Sequence, residues 1–433
     1  MIEKVMELVK RRGLTADALL RDSSVLSLSF ESGRLKGSTL SQEAGLNLRV
    51  IASGKVGTAG TTDLAGPDDV VARALASAAE GETLALDFPG PGPVPPVKTF
   101  DADAGKLDVA ALASLGRSVV EPLSRDGWQV GASVERHIET SRFANTSGQL
   151  VEQRATAITV SAEVTRVAGD DVLMAYDVVY GTGVPSAKEL EAMVAAIVTK
   201  IERSLRIVEP PEGRLPVLFT PQGMSAVLLP INQALSGKSV LQGVSPLGDK
   251  LGQMKFDAAF SLTDDPLVAG RVASRAADDE GVVSKPLLLI AKGVVSAFVY
   301  DLETATRAAV KPTGHGSRST FGKPGISYSN LVIGAGEHDE TSLWRAVGDG
   351  LIVDELIGVG QGNTSSGAFS HPVALAWRIE NGELTGRVKD AAVAGNAFEL
   401  LGRIKALGRD AKWQGGTRRI PPMVLDGVNV ARR

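Results

Sequence analysis

From residue 130 to residue 167 the chain alternates apolar with polar side chains, and the alternation is interrupted at Asn145-Thr146-Ser147-Gly148. A period of two puts successive side chains on opposite faces of an extended backbone, which a helix of about 3.6 residues per turn cannot do. The interruption carries turn chemistry, because Asn and Ser side chains bond nearby backbone and Gly reaches positive φ at little steric cost. Two antiparallel strands joined by a turn are expected, and the rest of the fold has to accept the sheet they begin.

The same alternation recurs at Leu26, Leu28 and Phe30 and at Leu46, Leu48 and Val50, with Ser53-Gly54-Lys55 offering a turn before Val56-Gly57-Thr58. Helical spacing instead links Ile2, Val5, Met6 and Val9, closed by Gly13. Pro67 with Asp68-Asp69 opens a second helix through Glu80, and a third is expected over 108–126, interrupted at Pro122. Ser186-x-x-Glu189 is a capping box ahead of Leu190, Met193, Val194, Ile197, Ile201 and Leu205. Between these segments Pro89, Pro91, Pro93, Pro95 and Pro96 remove too many N–H donors for a helix or a central strand, so 88–96 reads as an extended connector.

Glu209-Pro210-Pro211-Glu212-Gly213 marks a domain boundary, after which the pattern shortens. A strand is expected over 215–219, then a helix over 221–235 with an apolar set at Met224, Val227, Leu228, Leu229 and Ile231 and a bend at Pro230. Short β runs follow at 286–290, 294–300, 331–333 and 374–379. The expected class is α+β: an N-terminal region of antiparallel strands and helices, and a C-terminal domain that is mostly antiparallel β. The expected division is 1–88, 97–208 and 214–433. With 433 residues the chain is about three times the ~150-residue prior for one domain, in keeping with two or three.

Composition narrows the chemistry. The absence of cysteine removes disulfides, thiolate nucleophiles and Cys-containing zinc sites. His137, His315, His338 and His371 stand far apart in sequence, so no zinc helix with paired histidines is present. A net charge of −4 without basic blocks argues against direct binding to nucleic acid or to an anionic membrane. The first residues form an amphipathic helix with mixed charge and lack the apolar block of a signal peptide, so a cytoplasmic location is expected.

Two motifs could carry chemistry. Asp278-Asp279-Glu280-Gly281 sets three carboxylates before a glycine, the material of an oxygen-ligand cation site or of a raised general acid, although its spacing alone favours a solvated turn. Asp264-Asp265-Pro266 raises the same question more weakly. Thr313-Gly314-His315-Gly316-Ser317-Arg318 combines a hydroxyl, an imidazole and a guanidinium in a loop able to cradle an anion or a peptide carboxylate, but reads more simply as a glycine turn with exposed polar side chains. Gly358-Val359-Gly360-Gln361-Gly362-Asn363 reads as tight backbone packing or β-bulges.

The ordered set Ser236-Gly237-Lys238-Ser239-Val240, Lys250-Leu251-Gly252, Asp264-Asp265-Pro266, Asp278-Asp279-Glu280-Gly281, Lys292-Gly293-Val294, Thr313-Gly314, Ser366-Gly367-Ala368-Phe369 and Ile379-Glu380-Asn381-Gly382 resembles the TldD/PmbA family. That family was once called modulators of DNA gyrase and is now described as metallopeptidases of bacteria and archaea. Its TldD-type members carry an HExxxH helix and a late cysteine. Here the corresponding helix reads Leu228-Leu229-Pro230-Ile231-Asn232-Gln233, and no cysteine occurs near Trp413-Gln414-Gly415-Gly416-Thr417. The resemblance is therefore to the PmbA/TldE type, which lacks the zinc ligands.

What the resemblance implies is a non-catalytic subunit with no catalytic, cofactor-binding or metal-binding residues of its own. It would pair with a TldD-type HExxxH subunit, guide extended peptides and small unfolded proteins to the partner's site, and form a homodimer when alone. Asp278, Asp279, Glu280, Gly281, Thr313, Gly314, His315 and Arg318 are then candidate peptide- or partner-facing residues. Two rivals remain. One is a self-sufficient hydrolase built on the 278–280 acids and His315, and the other a regulatory binding protein with no protease partner. Leu228 and Leu229 are expected to anchor their helix in the core.

Overall fold

The computed structural model describes residues 1–361 and 363–432. The alternating segments form a six-stranded antiparallel sheet from β1 (Thr15–Glu31), β2 (Arg34–Ala52), β3 (Lys55–Thr61), β4 (Trp128–Asn145), β5 (Leu150–Ala168) and β6 (Asp171–Gly181), in the order β3-β2-β1-β4-β5-β6. The Asn145 to Gly148 turn joins β4 to β5, and the register pairs Ala144 with Leu150 through to Trp128 with Arg166. Asn145 Oδ1 accepts from Gln149 N at 2.9 Å, the side-chain-to-backbone bond that its turn position favours.

Helices cover this sheet. α1 (Ile2–Arg11) buries Ile2, Val5, Met6 and Val9 and ends before Gly13, whose φ is +66°. α2 (Pro67–Ala79) starts on its proline, while α3 (Ala102–Lys106), unforeseen from sequence, is capped by the Asp101 side chain. α4 (Val109–Leu123) takes Pro122 into its last turn, where the chain is already leaving the helix. α5 (Ala187–Arg203) makes both bonds of the Ser186/Glu189 capping box but stops short of Leu205, which is exposed. Residues 88–96 form neither helix nor strand, as their prolines require.

Past the proline pair, elements shorten. β7 (Ile207–Val208) stands just before that pair, and β8 (Gly213–Phe219) after it leads to α6 (Ser225–Ala234), which begins later than the apolar pattern suggests because 221–224 form turns. Next come α7 (Gly237–Leu241), β9 (Leu262–Asp264), β10 (Leu287–Ala291), β11 (Val294–Val295), α8 (Leu302–Ala308), β12 (Gly316–Ser317), β13 (Gly325–Ile326), β14 (Leu331–Ile333) and α9 (Glu340–Val347). The remaining strands are β15 (Gly350–Leu356), β16 (Ala368–Glu380), β17 (Glu383–Val388), β18 (Ala391–Asn396), β19 (Ile404–Leu407), β20 (Lys412–Gln414), β21 (Arg418–Ile420) and β22 (Met423–Arg432). The expected strand over 294–300 is confined to Val294 and Val295, which pair with Ala291 and Ile290, and Tyr300 N instead bonds Thr313 Oγ1. Gly358 and Gly360 take positive φ in a turn beyond β15 and do not bulge a strand; Gly362 lies outside the described residues.

In the larger C-terminal sheet β15 pairs with both β8 and β16, so the circuit β15-β8-β22-β18-β16 closes on itself. Alternation along its strands divides the side chains. Val217, Phe219, Leu351 and Val353 join α6 in one core, whereas Leu218, Ile352 and Trp377 face the other way. That second face shares a core with Leu112 and Val119 of α4 and Ile197 of α5, so apolar packing continues across the proline-rich boundary. Among the described residues, no helix is long and apolar enough to cross a membrane.

Candidate functional site

The two polar motifs meet. The loop at 278–281 and the strand-forming loop at 313–318 are bonded to each other and to the face of the N-terminal sheet that carries Asp17, Arg21 and Arg49. Asp278 Oδ1 accepts from Glu280 N and Val282 N, each at 2.9 Å, and its Oδ2 accepts from Gly316 N at 2.7 Å. Asp279 accepts from Arg318 N at 2.9 Å and receives Arg21 Nη2 on both oxygens at 2.8 Å. Glu280 accepts from Leu302 N, at the start of α8, and from Arg49 Nη1, each at 2.7 Å. Arg49 also donates to Asp17 at 2.5 and 3.1 Å, and Arg318 Nη2 donates to Asp17 at 2.6 Å.

Asp17, Arg49, Asp278, Glu280 and Arg318 are all buried, which corrects the reading of these motifs as a solvated turn and an exposed glycine loop. The reason is that ions leave water only when opposite charges and N–H donors replace it, and here both loops find them on a distant sheet. Two glycines are required by contact. A Cβ on Gly281, already at φ +78°, would lie 2.2 Å from the Phe143 ring, and one on Gly316 would lie 2.5 Å from Glu280 Cγ.

The charges do not titrate alike. Burial acts to raise the Asp17 carboxyl, but the Arg318 and Arg49 guanidinium groups outweigh it and hold Asp17 below the usual carboxylate range. Burial first, and then the Glu280 charge, push Asp278 up to about 7, against the pull of Arg275 and of its backbone donors. Burial also raises Glu280, with Arg49 opposing.

His315 is buried beside this cluster. Its Nδ1 lies 2.9 Å from Thr313 Oγ1 and 3.0 Å from the Thr313 carbonyl, and its Nε2 is 3.6 Å from Asp264. Thr313 is in turn bonded to the backbone of Tyr300, and Gly314 turns the loop at φ +79°. Asp264, buried as well, accepts from Ser329. Of the acidic motif, Asp279 reaches the wall of a polar groove of about 330 Å³ shared with Arg21, Glu139, Gln153, Arg275 and Tyr328.

Sequence reasoning missed Asp17, Arg21 and Arg49. A signal existed for one of them: Arg49 interrupts the run from Leu46 to Val50, and alternation places it with Asn47 on the face opposite Leu46, Leu48 and Val50. That face meets the 320–322 backbone, where Asn47 Nδ2 donates to the carbonyls of Thr320 and Gly322.

A different chemistry is found at α6. Leu228 is core, whereas Leu229 is half-buried and opens, with Pro230, onto a cleft of about 200 Å³ walled by Val359 to Gln361, by Asn363 and Thr364, and by Phe369 to His371. Gln233, exposed on the same face one turn on, accepts a hydrogen bond from Thr364. His371, stacked on Phe369 with ring centroids 6.1 Å apart, is the titratable group among the described lining residues. Zinc needs about three protein ligands of nitrogen, sulfur or carboxylate oxygen, and one imidazole beside leucine and an amide does not supply them.

With this geometry in hand, comparison places the chain. A family model described as the PmbA/TldA metallopeptidase C-terminal domain matches residues 212–432, and one for metallopeptidase domain 1 matches residues 16–78. A metalloprotease of Methanothermobacter thermautotrophicus is 24% identical over 91% of this chain and 88% of its own length. Metalloprotease PmbA of Escherichia coli O157:H7 is 23% identical over 98% of this chain and 95% of its own. Two solved structures share the fold: a protein described as a modulator of a DNA gyrase from Thermotoga maritima, with TM-score 0.91 at 24% identity, and TldE from Thermococcus kodakarensis, with TM-score 0.90 at 21%. Each covers 99% of this chain and is itself covered over 99%. The matched domains define a chain of the metallopeptidase class. It belongs to the PmbA/TldD family.

Proposed function

We propose that this chain is a PmbA/TldE-type subunit without a zinc site of its own, which pairs with a TldD-type HExxxH subunit and guides extended precursor peptides or small unfolded proteins to the partner's active site. The observation that carries the reading is the face of α6. Where the family resemblance places HExxxH, Leu228 packs in the core, Leu229 borders a cleft, Gln233 bonds Thr364 on that cleft's wall, and the described lining residues offer one imidazole. The self-sufficient hydrolase is less well supported, because the carboxylates of Asp278 and Glu280 are committed to backbone N–H groups and Arg49 inside the protein.

The test uses the full-length chain, purified without a metal-affinity tag, alone and mixed with a TldD-type subunit. Elemental analysis of the chain alone is expected to give well under one zinc per chain, and EDTA-sensitive cleavage of an unstructured peptide is expected only in the mixture. Stoichiometric zinc that survives dialysis, or cleavage by the chain alone, overturns the proposal. Light scattering should find a homodimer alone and a heterodimer after mixing; a monomer that forms no complex counts against the pairing.

A further inference from the structure

On the face of the C-terminal sheet turned away from α6, a cavity of about 460 Å³ lies between α5, α9 and the strands. Its size is within the ~300–1,000 Å³ range of small-molecule sites. The floor is a cross-strand row: Ile352 pairs with Leu218 on one side and with Trp377 on the other, and alternation points all three the same way. Leu343 and Trp344 of α9 close one wall.

Two of the three cations around this floor, Lys200 and Arg203, are already engaged. Lys200 Nζ is 2.7 Å from Asp354 and also donates to the Tyr176 carbonyl and Gln222 Oε1, while Arg203 holds Glu340 through two bonds of 2.7 and 2.9 Å. The lining carries four acids against three bases, and the third base, Lys412, is exposed to solvent, so the cavity as a whole does not favour an anionic ligand. Two donors remain unused. Gln222 Nε2 and Trp344 Nε1 are buried and have no hydrogen-bond partner. Buried N–H groups without partners are rare and destabilising, because they give up water and receive nothing.

We propose that this cavity binds an uncharged aromatic or branched aliphatic group that bears an amide oxygen, with the apolar body on the Leu218, Ile352 and Trp377 row and the oxygen accepting from Gln222 and Trp344. That chemistry belongs equally to a residue within a peptide and to a free acylated amino-acid amide. The site is separate from the α6 cleft and does not depend on a protease partner.

The full-length chain is titrated with N-acetylphenylalaninamide, N-acetylglycinamide, N-acetylphenylalanine and an acetylated, amidated peptide carrying one central Phe. Binding is followed by tryptophan fluorescence and by the indole N–H resonances. The phenylalanine amide should bind, the glycine amide and the free carboxylate should bind at least about tenfold more weakly, and the Trp344 indole resonance should move while those of Trp128 and Trp413 stay. Tighter binding of the peptide assigns the ligand to a polypeptide; equal binding assigns it to a free amide. Trp344→Phe and Gln222→Glu should each weaken the phenylalanine amide by about tenfold with an unchanged urea midpoint. Should either variant fail to fold, the wild-type ligand series and the Trp344 resonance decide. No binding by any probe, equal binding of the glycine amide, or a stationary Trp344 resonance overturns the proposal.

Discussion

At the clasp between the N-terminal sheet and the 278–281 and 313–318 loops, every buried carboxylate faces a guanidinium or several N–H groups; over α6, the described residues lining an accessible cleft offer leucine, proline, two amides, two hydroxyls and one imidazole. The charge-dense region is closed and structural, and the region open to solvent holds little that could bind a metal. A cluster of acids therefore says less about catalysis than whether those acids are already committed, since a group that must give up an Arg49 or Gly316 bond before it can react is poorly suited to general acid work.

The contrast can be broken at four points. Arg49→Met should have the largest effect, a loss of about 3–5 kcal/mol in urea unfolding, because it leaves Glu280 and part of Asp17 buried without a counter-charge. A loss below ~1 kcal/mol would show that the clasp does not hold the two halves together. Leu228→Ala should follow at roughly 2–4 kcal/mol through a cavity under α6, read from the same unfolding curves. Leu229→Ala should stay at or below about 1 kcal/mol, since that side chain is half in the cleft, and a value equal to Leu228→Ala would mean the cleft is core.

The fourth point concerns pH. Because Asp278 is raised to about 7 in the folded chain, the folded state binds its proton more tightly than the unfolded one, so its contribution is greatest at acid pH and declines as pH rises to about 7. Asp17, held low, contributes in the opposite sense: its stabilisation is present above the ordinary carboxylate range and lost as pH falls below it. The stability gap between wild type and Asp278→Ala should therefore narrow from about pH 5 to pH 7 and be level above. A gap that stays level over that range would show the three backbone N–H groups keeping Asp278 ionised throughout.

Local signals were legible in proportion to how local their causes are. The β4-β5 hairpin, the capping box at Ser186 and the glycine after α1 depend on residues within one turn or one alternation, and sequence shows them. The clasp depends on Arg49 meeting Glu280 and on Asp17 meeting Arg318, partners far apart in the chain, and nothing near Asp278 marks the turn as buried. Among the short C-terminal strands the run at Leu331–Ile333 was legible with its ends, whereas the run over 294–300 was not, since only Val294 and Val295 pair, with Ala291 and Ile290 across the Lys292-Gly293 turn.

One feature of the topology bears on how the protein is made. β22 lies between β8 and β18 in the closed circuit, so β8, which leaves the ribosome long before it, lacks its neighbour until that late segment has been translated. The N-terminal sheet can form its hairpins during synthesis, while the C-terminal circuit cannot. A nascent chain arrested before residue 423 should thus carry an open strand edge and remain protease-sensitive past residue 213, a state that calls for chaperone cover until translation passes β22.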